Sequence, residues 1–186
     1  MENTTQQVIP ADLNRVLLQP DVIDLRVGTL ARQISKDYED VEQLYLVGIL
    51  KGAFIFLADL SRKLTIPHVV DFMALSSYGK EATSGAVRIL MDLRESIEGK
   101  HVLLIEDILD SGNTLNYLIH NLTDRQPASL RTCVFMHKTA RKSNAPIDYL
   151  GFEIPDVWVV GYGLDYADKH RTLPYVAELN RSVYKA

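Results

Sequence analysis

Apolar positions along this chain fall into short unbroken runs and into runs of helical spacing, and the two kinds follow one another. Leu44 to Leu50 is an apolar run of strand length. Lys51-Gly52 follows, and then Phe54, Ile55, Leu57, Leu60 and Leu64 recur at helical spacing, which makes one β-loop-α unit. A second unit opens with Val102, Leu103, Leu104 and Ile105, a run suited to a strand covered on both faces. It passes through Glu106, Asp107, Asp110 and Ser111-Gly112-Asn113-Thr114 into the helical pattern Leu115, Leu118, Ile119, Leu122, with Asn113 or Thr114 serving the helix start. Further strands are predicted over Val69 to Leu75, Val87 to Leu93, Leu130 to Met136 and Val157 to Val160. A helix capped by Asp21 runs through Val22, Leu25, Leu30 and Ile34, after a short amphipathic segment from Ile9 to Leu18. This alternation predicts an α/β fold with a mostly parallel twisted sheet flanked by helices. The irregular, aromatic stretch from Gly161 is expected to join N-terminal residues in a small hood over the ligand edge.

The chemistry sits at the end of the second unit. Ligands of open α/β sheets bind beyond the carboxyl ends of the strands, and there the chain places three carboxylates before a small-residue turn. A helix N-terminus offers free N–H groups and the positive end of a dipole, and Gly112 lets an anion approach the backbone. Carboxylates facing hydroxyl groups or a metal, beside N–H groups facing a phosphate, point to a sugar phosphate. The bland reading is a strand, turn and helix with a solvated acidic corner. Other phosphate signatures fail: Gly99-Lys100-His101 lacks the upstream glycine and hydroxyl residue of a nucleotide loop, and Gly161-Tyr162-Gly163 lacks the third glycine of a dinucleotide turn.

Composition narrows the class. At 186 residues, 47% of them hydrophobic, the chain is sized for one domain over 1–186 with a core that needs no staples. A formal net charge of -4 argues against a broad nucleic-acid face. No apolar run has the length of a membrane span, and Met1-Glu2-Asn3-Thr4-Thr5 has neither a basic region nor an apolar signal core, so the chain reads as cytoplasmic. Cys133, within Thr132-Cys133-Val134-Phe135-Met136, reads as a buried strand residue and not a nucleophile. The histidines, His68, His101, His120, His137 and His170, show no paired ligand spacing, so zinc is not expected. A metal held by carboxylates and substrate oxygens would be magnesium (Mg2+).

Segments across most of the chain match a known pattern. VLLIEDILDSGNT, Val102 to Thr114, resembles the phosphoribosyl pyrophosphate signature of the type I phosphoribosyltransferases. Leu50-Lys51-Gly52, Ser77-Tyr78, Lys138 to Arg141, and Gly151-Phe152-Glu153-Ile154-Pro155-Asp156 through Arg171 agree with it. From about Leu44 onward the chain is similar to the hypoxanthine(-guanine) members of that family, enzymes of purine salvage. The resemblance implies the type I phosphoribosyltransferase fold, a magnesium cofactor and a dimer or tetramer. The implied reaction is attack of hypoxanthine or guanine on the anomeric carbon of phosphoribosyl pyrophosphate, giving inosine or guanosine monophosphate and pyrophosphate.

The resemblance also implies residue roles. Lys51, Gly52 and Arg171 face pyrophosphate, and a cis peptide before the lysine is frequent in the family. Glu106 and Asp107 serve the ribose hydroxyls and magnesium. Neighbouring strand residues face opposite ways, so both can serve only if the strand is turning there. Ser111, Gly112, Asn113 and Thr114 hold the ribose phosphate, and Asp110 exchanges a proton with the purine's imidazole ring. Trp158 stacks on the base, where the family more often has another aromatic, with Ile108 and Leu164 as apolar contacts. The Val159 backbone reads the base edge, and Asp165 meets a second magnesium or the guanine amino group. Lys138 donates to the exocyclic oxygen that adenine lacks. An ungapped count back from Gly151 puts His137 at that place instead, but a permanent cation is the better donor to a carbonyl. Ser77 and Tyr78, in the glycine-containing stretch from Ser76 to Ala86, form a lid that excludes water. Without the resemblance, Lys51 is a solvated turn lysine, Arg171 a surface ion-pair partner, Trp158 a core residue and Asp110 a helix cap.

Three other readings stay open at this point. The same fold could act on xanthine or a pyrimidine, which pocket shape decides. A non-catalytic nucleotide-sensing regulator should carry a basic face or an added nucleic-acid-binding domain. A phosphoacceptor domain also uses strand-end aspartates, but here the small-residue turn reads as a fixed backbone cradle.

Overall fold

The computed structural model describes residues 9–77, 87–140 and 143–184; Tyr78, the rest of the predicted lid beyond Ser77, and Arg141 lie outside them. The elements run β1 (Leu13–Leu18), α1 (Pro20–Asp37), β2 (Leu44–Leu50), α2 (Phe54–Lys63), β3 (His68–Ser77), β4 (Val87–Met91) and β5 (His101–Leu109). There follow α3 (Asn113–Thr123), β6 (Ser129–Lys138), β7 (Tyr149–Ile154), β8 (Val159–Val160), β9 (Val176–Leu179) and α4 (Arg181–Tyr184). Six strands form the main sheet in the order β4-β3-β2-β5-β6-β7, and only the β3–β4 edge pair is antiparallel. The expected mostly parallel sheet flanked by helices is what the chain builds. No helix among the described residues is long and apolar enough to cross a membrane.

The unbroken apolar run of β5 has a direct cause, since both of its faces are covered. Leu103 and Ile105 pack in a core with Val27, Leu30 and Ile34 of α1 and Phe56, Leu57 and Leu60 of α2. Val102 and Leu104 face the other way, onto Leu115, Leu118 and Leu122 of α3. The predicted spans of β2 and α2 hold almost to the residue.

Several expectations need correction. Asp21 does not cap α1: Gln19 is the cap residue, no side chain caps the helix, and Pro20 opens it. The buried stripe of α1 is Ile23, Val27, Leu30, Ala31 and Ile34, whereas Val22 and Leu25 are exposed. Gly112 is the cap residue of α3, in place of Asn113 or Thr114. The strand expected at Val157 to Val160 is only Val159–Val160, and it leaves the main sheet. The main sheet's edge is instead β7, held to α1 by Arg26, which donates to the Gly151 carbonyl at 2.8 Å and to the Leu150 carbonyl.

The hood is more regular than the sequence suggested. It is a three-stranded antiparallel sheet, β1-β9-β8, around a small core of Leu13, Val160, Tyr175, Ala177 and Leu179. Phe135 of β6 joins it to the main sheet. Its fully buried ring lies 5.0 Å from Phe56, 5.6 Å from Phe152 and 4.8 Å from Tyr162, and the Tyr162 hydroxyl donates to Asp59 of α2 at 2.6 Å. Removing that ring opens a cavity where four elements meet. Phe135→Ala should cost about 3–5 kcal/mol of folding free energy, read as a lowered urea midpoint with an unchanged slope.

Candidate active site

The site begins where β5 changes faces. Its ladder with β6 runs from His101↔Ser129 to Glu106↔Val134, skips Asp107, and resumes at Ile108↔Met136 and Leu109↔His137. Ile108 then packs with the α1 and α2 core and Leu109 with the α3 core, the reverse of the parity set by Leu103 and Leu104. Glu106 and Asp107 sit at this reversal. Here is the turn that two adjacent strand residues need to address one ligand.

Glu106 is buried and Asp107 half-buried, and the two carboxyl groups touch side chain to side chain. Burial holds the Glu106 pKa well above the ordinary carboxylate range, and the neighbouring Asp107 charge pushes it further. Burial also raises Asp107, against the pull of its contact with Glu106, the Ile108 N–H at 2.9 Å and the Arg171 charge. The Oε2 atom of Glu106 is buried with no hydrogen-bond partner among the described residues.

Two cavities open from this pair. One of about 130 Å³ is lined by Glu106, Asp107, Asp110, Ser111, Gly112 and Thr114, with Ile108, Leu109 and Leu115. Gly112 has φ 81°, a left-handed conformation suited to glycine; the Ser111 hydroxyl accepts from the Asn113 N–H at 3.5 Å, and the start of α3 lines this cavity with the positive end of the helix dipole. The other cavity, of about 260 Å³, is lined by Lys51, Gly52, Asp107, Leu164, Asp165 and Arg171. The peptide between Leu50 and Lys51 is cis. A Cβ on Gly52 would lie 1.6 Å from Asp107 Oδ2, so the turn approaches the carboxylate only because it has no side chain there. Arg171 donates to the Gly163 carbonyl at 2.6 Å and to Asp165.

Strand register settles which side chains share a face beyond the cavities. Residue 110 follows the Leu109↔His137 pair, so it comes opposite Lys138, whose Nζ lies 3.8 Å from Asp110 Oδ2 and 3.6 Å from Asp156 Oδ1. His137 is the partner of Leu109 and, one residue away on the strand, faces the opposite side. Trp158 stands 46% exposed at the start of β8. Val159 and Leu164 are buried, and Val159 pairs with Glu178 of β9.

A family model described as the phosphoribosyl transferase domain matches residues 17–167. The chain belongs to the phosphoribosyl transferase family. The hypoxanthine-guanine phosphoribosyltransferase of Dictyostelium discoideum is 50% identical over 175 residues, 91% of this chain and 97% of that protein. The hypoxanthine phosphoribosyltransferase of Escherichia coli K12 is 46% identical over 167 residues, 88% of this chain and 94% of that protein. Hypoxanthine phosphoribosyltransferase from Trypanosoma cruzi, solved in complex with the product IMP, superposes with a TM-score of 0.89 at 40% identity, covering 96% of this chain and 100% of that one.

This phosphoribosyltransferase also brings together residues that sequence reasoning passed over. Asp168 Oδ1 lies 3.6 Å from Lys51 Nζ and 3.9 Å from Arg171, so the cationic cavity carries an acidic rim. Asp165, Asp168 and Arg171 recur every third residue, a spacing that could have signalled a compact turn. His170, next to Arg171, meets Asp12 at 2.6 Å and ties the Arg171 segment to the chain just before β1. That contact spans 158 positions and left no local signal.

The buried carboxyl pair makes stability depend on pH. Between the ordinary glutamate value of 4.5 and its raised value in the fold, folded Glu106 binds more protons than unfolded Glu106, so its contribution falls as pH rises through that window. Glu106→Gln should therefore raise the melting temperature of the unliganded protein at pH 8, with a gain that shrinks toward pH 5. Scanning calorimetry at both pH values checks this; an equal gain at the two would rule out a buried charge as its source.

Proposed function

We propose that this chain transfers the phosphoribosyl group from phosphoribosyl pyrophosphate to hypoxanthine and guanine, forming inosine or guanosine monophosphate and releasing pyrophosphate. One observation carries the reading: Asp107 lines both the helix-end cavity and the cationic cavity. A ribose with one phosphate at the α3 N-terminus and a pyrophosphate beside Lys51 and Arg171 would lay its hydroxyls across that shared wall. Relatives named for this activity over most of the chain, and the superposed enzyme holding IMP, support it.

Each group has work suited to its place. The N–H groups of Gly112, Asn113 and Thr114 and the Ser111 hydroxyl hold the ribose phosphate. Lys51, the Gly52 backbone and Arg171 neutralise the leaving pyrophosphate. Glu106 and Asp107 accept hydrogen bonds from the ribose hydroxyls. Trp158 offers its exposed ring to the purine, Ile108 and Leu164 fill the apolar sides, and Lys138 donates to the six-oxo group. As the purine nitrogen bonds to the anomeric carbon and the bond to pyrophosphate breaks, the ring's proton passes to Asp110.

The residues suit a divalent cation. The unpartnered Glu106 Oε2 and the raised pKa values of two adjacent carboxyl groups favour a positive charge beside them. Glu106 and Asp107 would hold magnesium on the ribose side and Asp165 on the pyrophosphate side, and when bound it supplies charge neutralisation of the leaving group.

The activity belongs, in this reading, to a single domain over the whole chain and to a homo-oligomer. Leu25, 70% exposed on α1, and Leu90 and Met91 on the edge strand β4 are apolar surface of the kind that subunit contacts cover. A cytoplasmic setting suits a chain whose one cysteine, Cys133, is a buried free thiol.

A purine panel with phosphoribosyl pyrophosphate and magnesium tests the proposal. Hypoxanthine and guanine should each give a monophosphate and adenine none; folded protein that converts neither six-oxopurine refutes it. Asp110→Asn should lower kcat roughly 10²- to 10⁴-fold with substrate dissociation constants little changed, and a full rate would remove Asp110 from proton transfer.

A further inference from the structure

The chain has one tryptophan, and two tyrosines that both follow it in the sequence pack against its ring. The Tyr166 ring meets Trp158 edge-on at 5.6 Å and 90°, and the Tyr184 ring lies against it at 5.6 Å with a 32° tilt. The Tyr166 hydroxyl donates to the Val183 carbonyl at 3.3 Å, linking the two tyrosines through α4. The Leu179 N–H donates to the Trp158 carbonyl at 2.8 Å, which fixes the backbone from which the indole projects. Tyr166 and Tyr184 themselves rest on the hood core. Even so, 46% of Trp158 remains exposed, so the tyrosines brace the ring without enclosing it.

We infer that Tyr184, together with Tyr166, is a positioning residue for purine recognition: it holds the indole of Trp158 in the one orientation that can receive a base. This rests on the reading of Trp158 as the base platform. An unbraced indole at the surface samples several rotamers, and a ligand that needs one of them binds more weakly in proportion to its population. α4, none of whose residues lines either cavity, thereby acts on affinity for the base.

The test uses the full chain with magnesium and phosphoribosyl pyrophosphate. Tyr184→Ala should raise the KM for hypoxanthine roughly 3- to 10-fold, the size of one aromatic pair, with kcat and the KM for phosphoribosyl pyrophosphate unchanged. Acrylamide should quench Trp158 fluorescence more strongly in this variant. Tyr184→Phe should behave as the parent, because the ring and not the hydroxyl makes the contact. Tyr184→Leu, which keeps apolar bulk on the hood, should reproduce the rise and covers the case in which the alanine variant fails to fold. An unchanged KM for hypoxanthine in Tyr184→Leu overturns the inference, as does a lowered one, which would mean the tyrosine blocks the base. Trp158→Ala separates the two levels: if it too leaves that KM unchanged, the base-platform reading fails, and if it alone raises the KM, only the role of Tyr184 fails.

Discussion

Two carboxyl groups held side by side and largely out of water at the end of the central strand are the constraint around which the rest of this structure is arranged. Taking one charge out of water is costly, and two adjacent ones repel as well. Glu106 and Asp107 meet that cost by pKa values shifted toward the neutral form and by the cationic Arg171 beside Asp107. Their surroundings are shaped to match. Gly52 has no side chain because Asp107 occupies the place of one, and the sheet order keeps β5 between β2 and β6, away from either edge. A cation beside the pair would relieve that cost, the balance between stability and function expected of a binding site.

On the proposed function, the two sheets divide the chemistry. The main sheet supplies the carboxyl pair, the α3 N-terminus and the Lys51-Gly52 turn, all of which suit the sugar and its phosphates. In the proposed reading the hood side would supply Trp158, Val159 and Leu164 to the base, and Asp165 and Arg171 to the pyrophosphate. Lys138 stands between them, on the last residue of β6, where it pairs with Asp110 and Asp156.

What could be read from the chain follows from how local each signal is. β2, β5 and α2 were legible because each is covered by core, so residue type and spacing report burial directly. β1 and β9 were missed as strands because they are short and find partners only in each other and in β8, across most of the chain length. β7 is an edge strand whose alternating burial in Tyr149–Ile154 gives no continuous apolar run. Counting along a loop left both Lys138 and His137 open as the residue that reads the base, and the parallel register adds that Lys138 is the one that comes opposite Asp110. The acidic motif was visible in the sequence, whereas the reversal of faces that lets Glu106 and Asp107 act together is a property of the ladder.

Gly163, in the hood, carries φ 106°, and a Cβ there would fall 2.0 Å from the Gly52 carbonyl oxygen. Main chain thus rests on main chain where the hood meets the turn after β2. Side chains elsewhere can adopt new rotamers to absorb a shift of an ångström, but two bare backbones have no such give. The spacing between the Lys51-Gly52 turn and the Gly163 segment, whose carbonyl Arg171 holds, is therefore a hard gauge set by peptide dimensions.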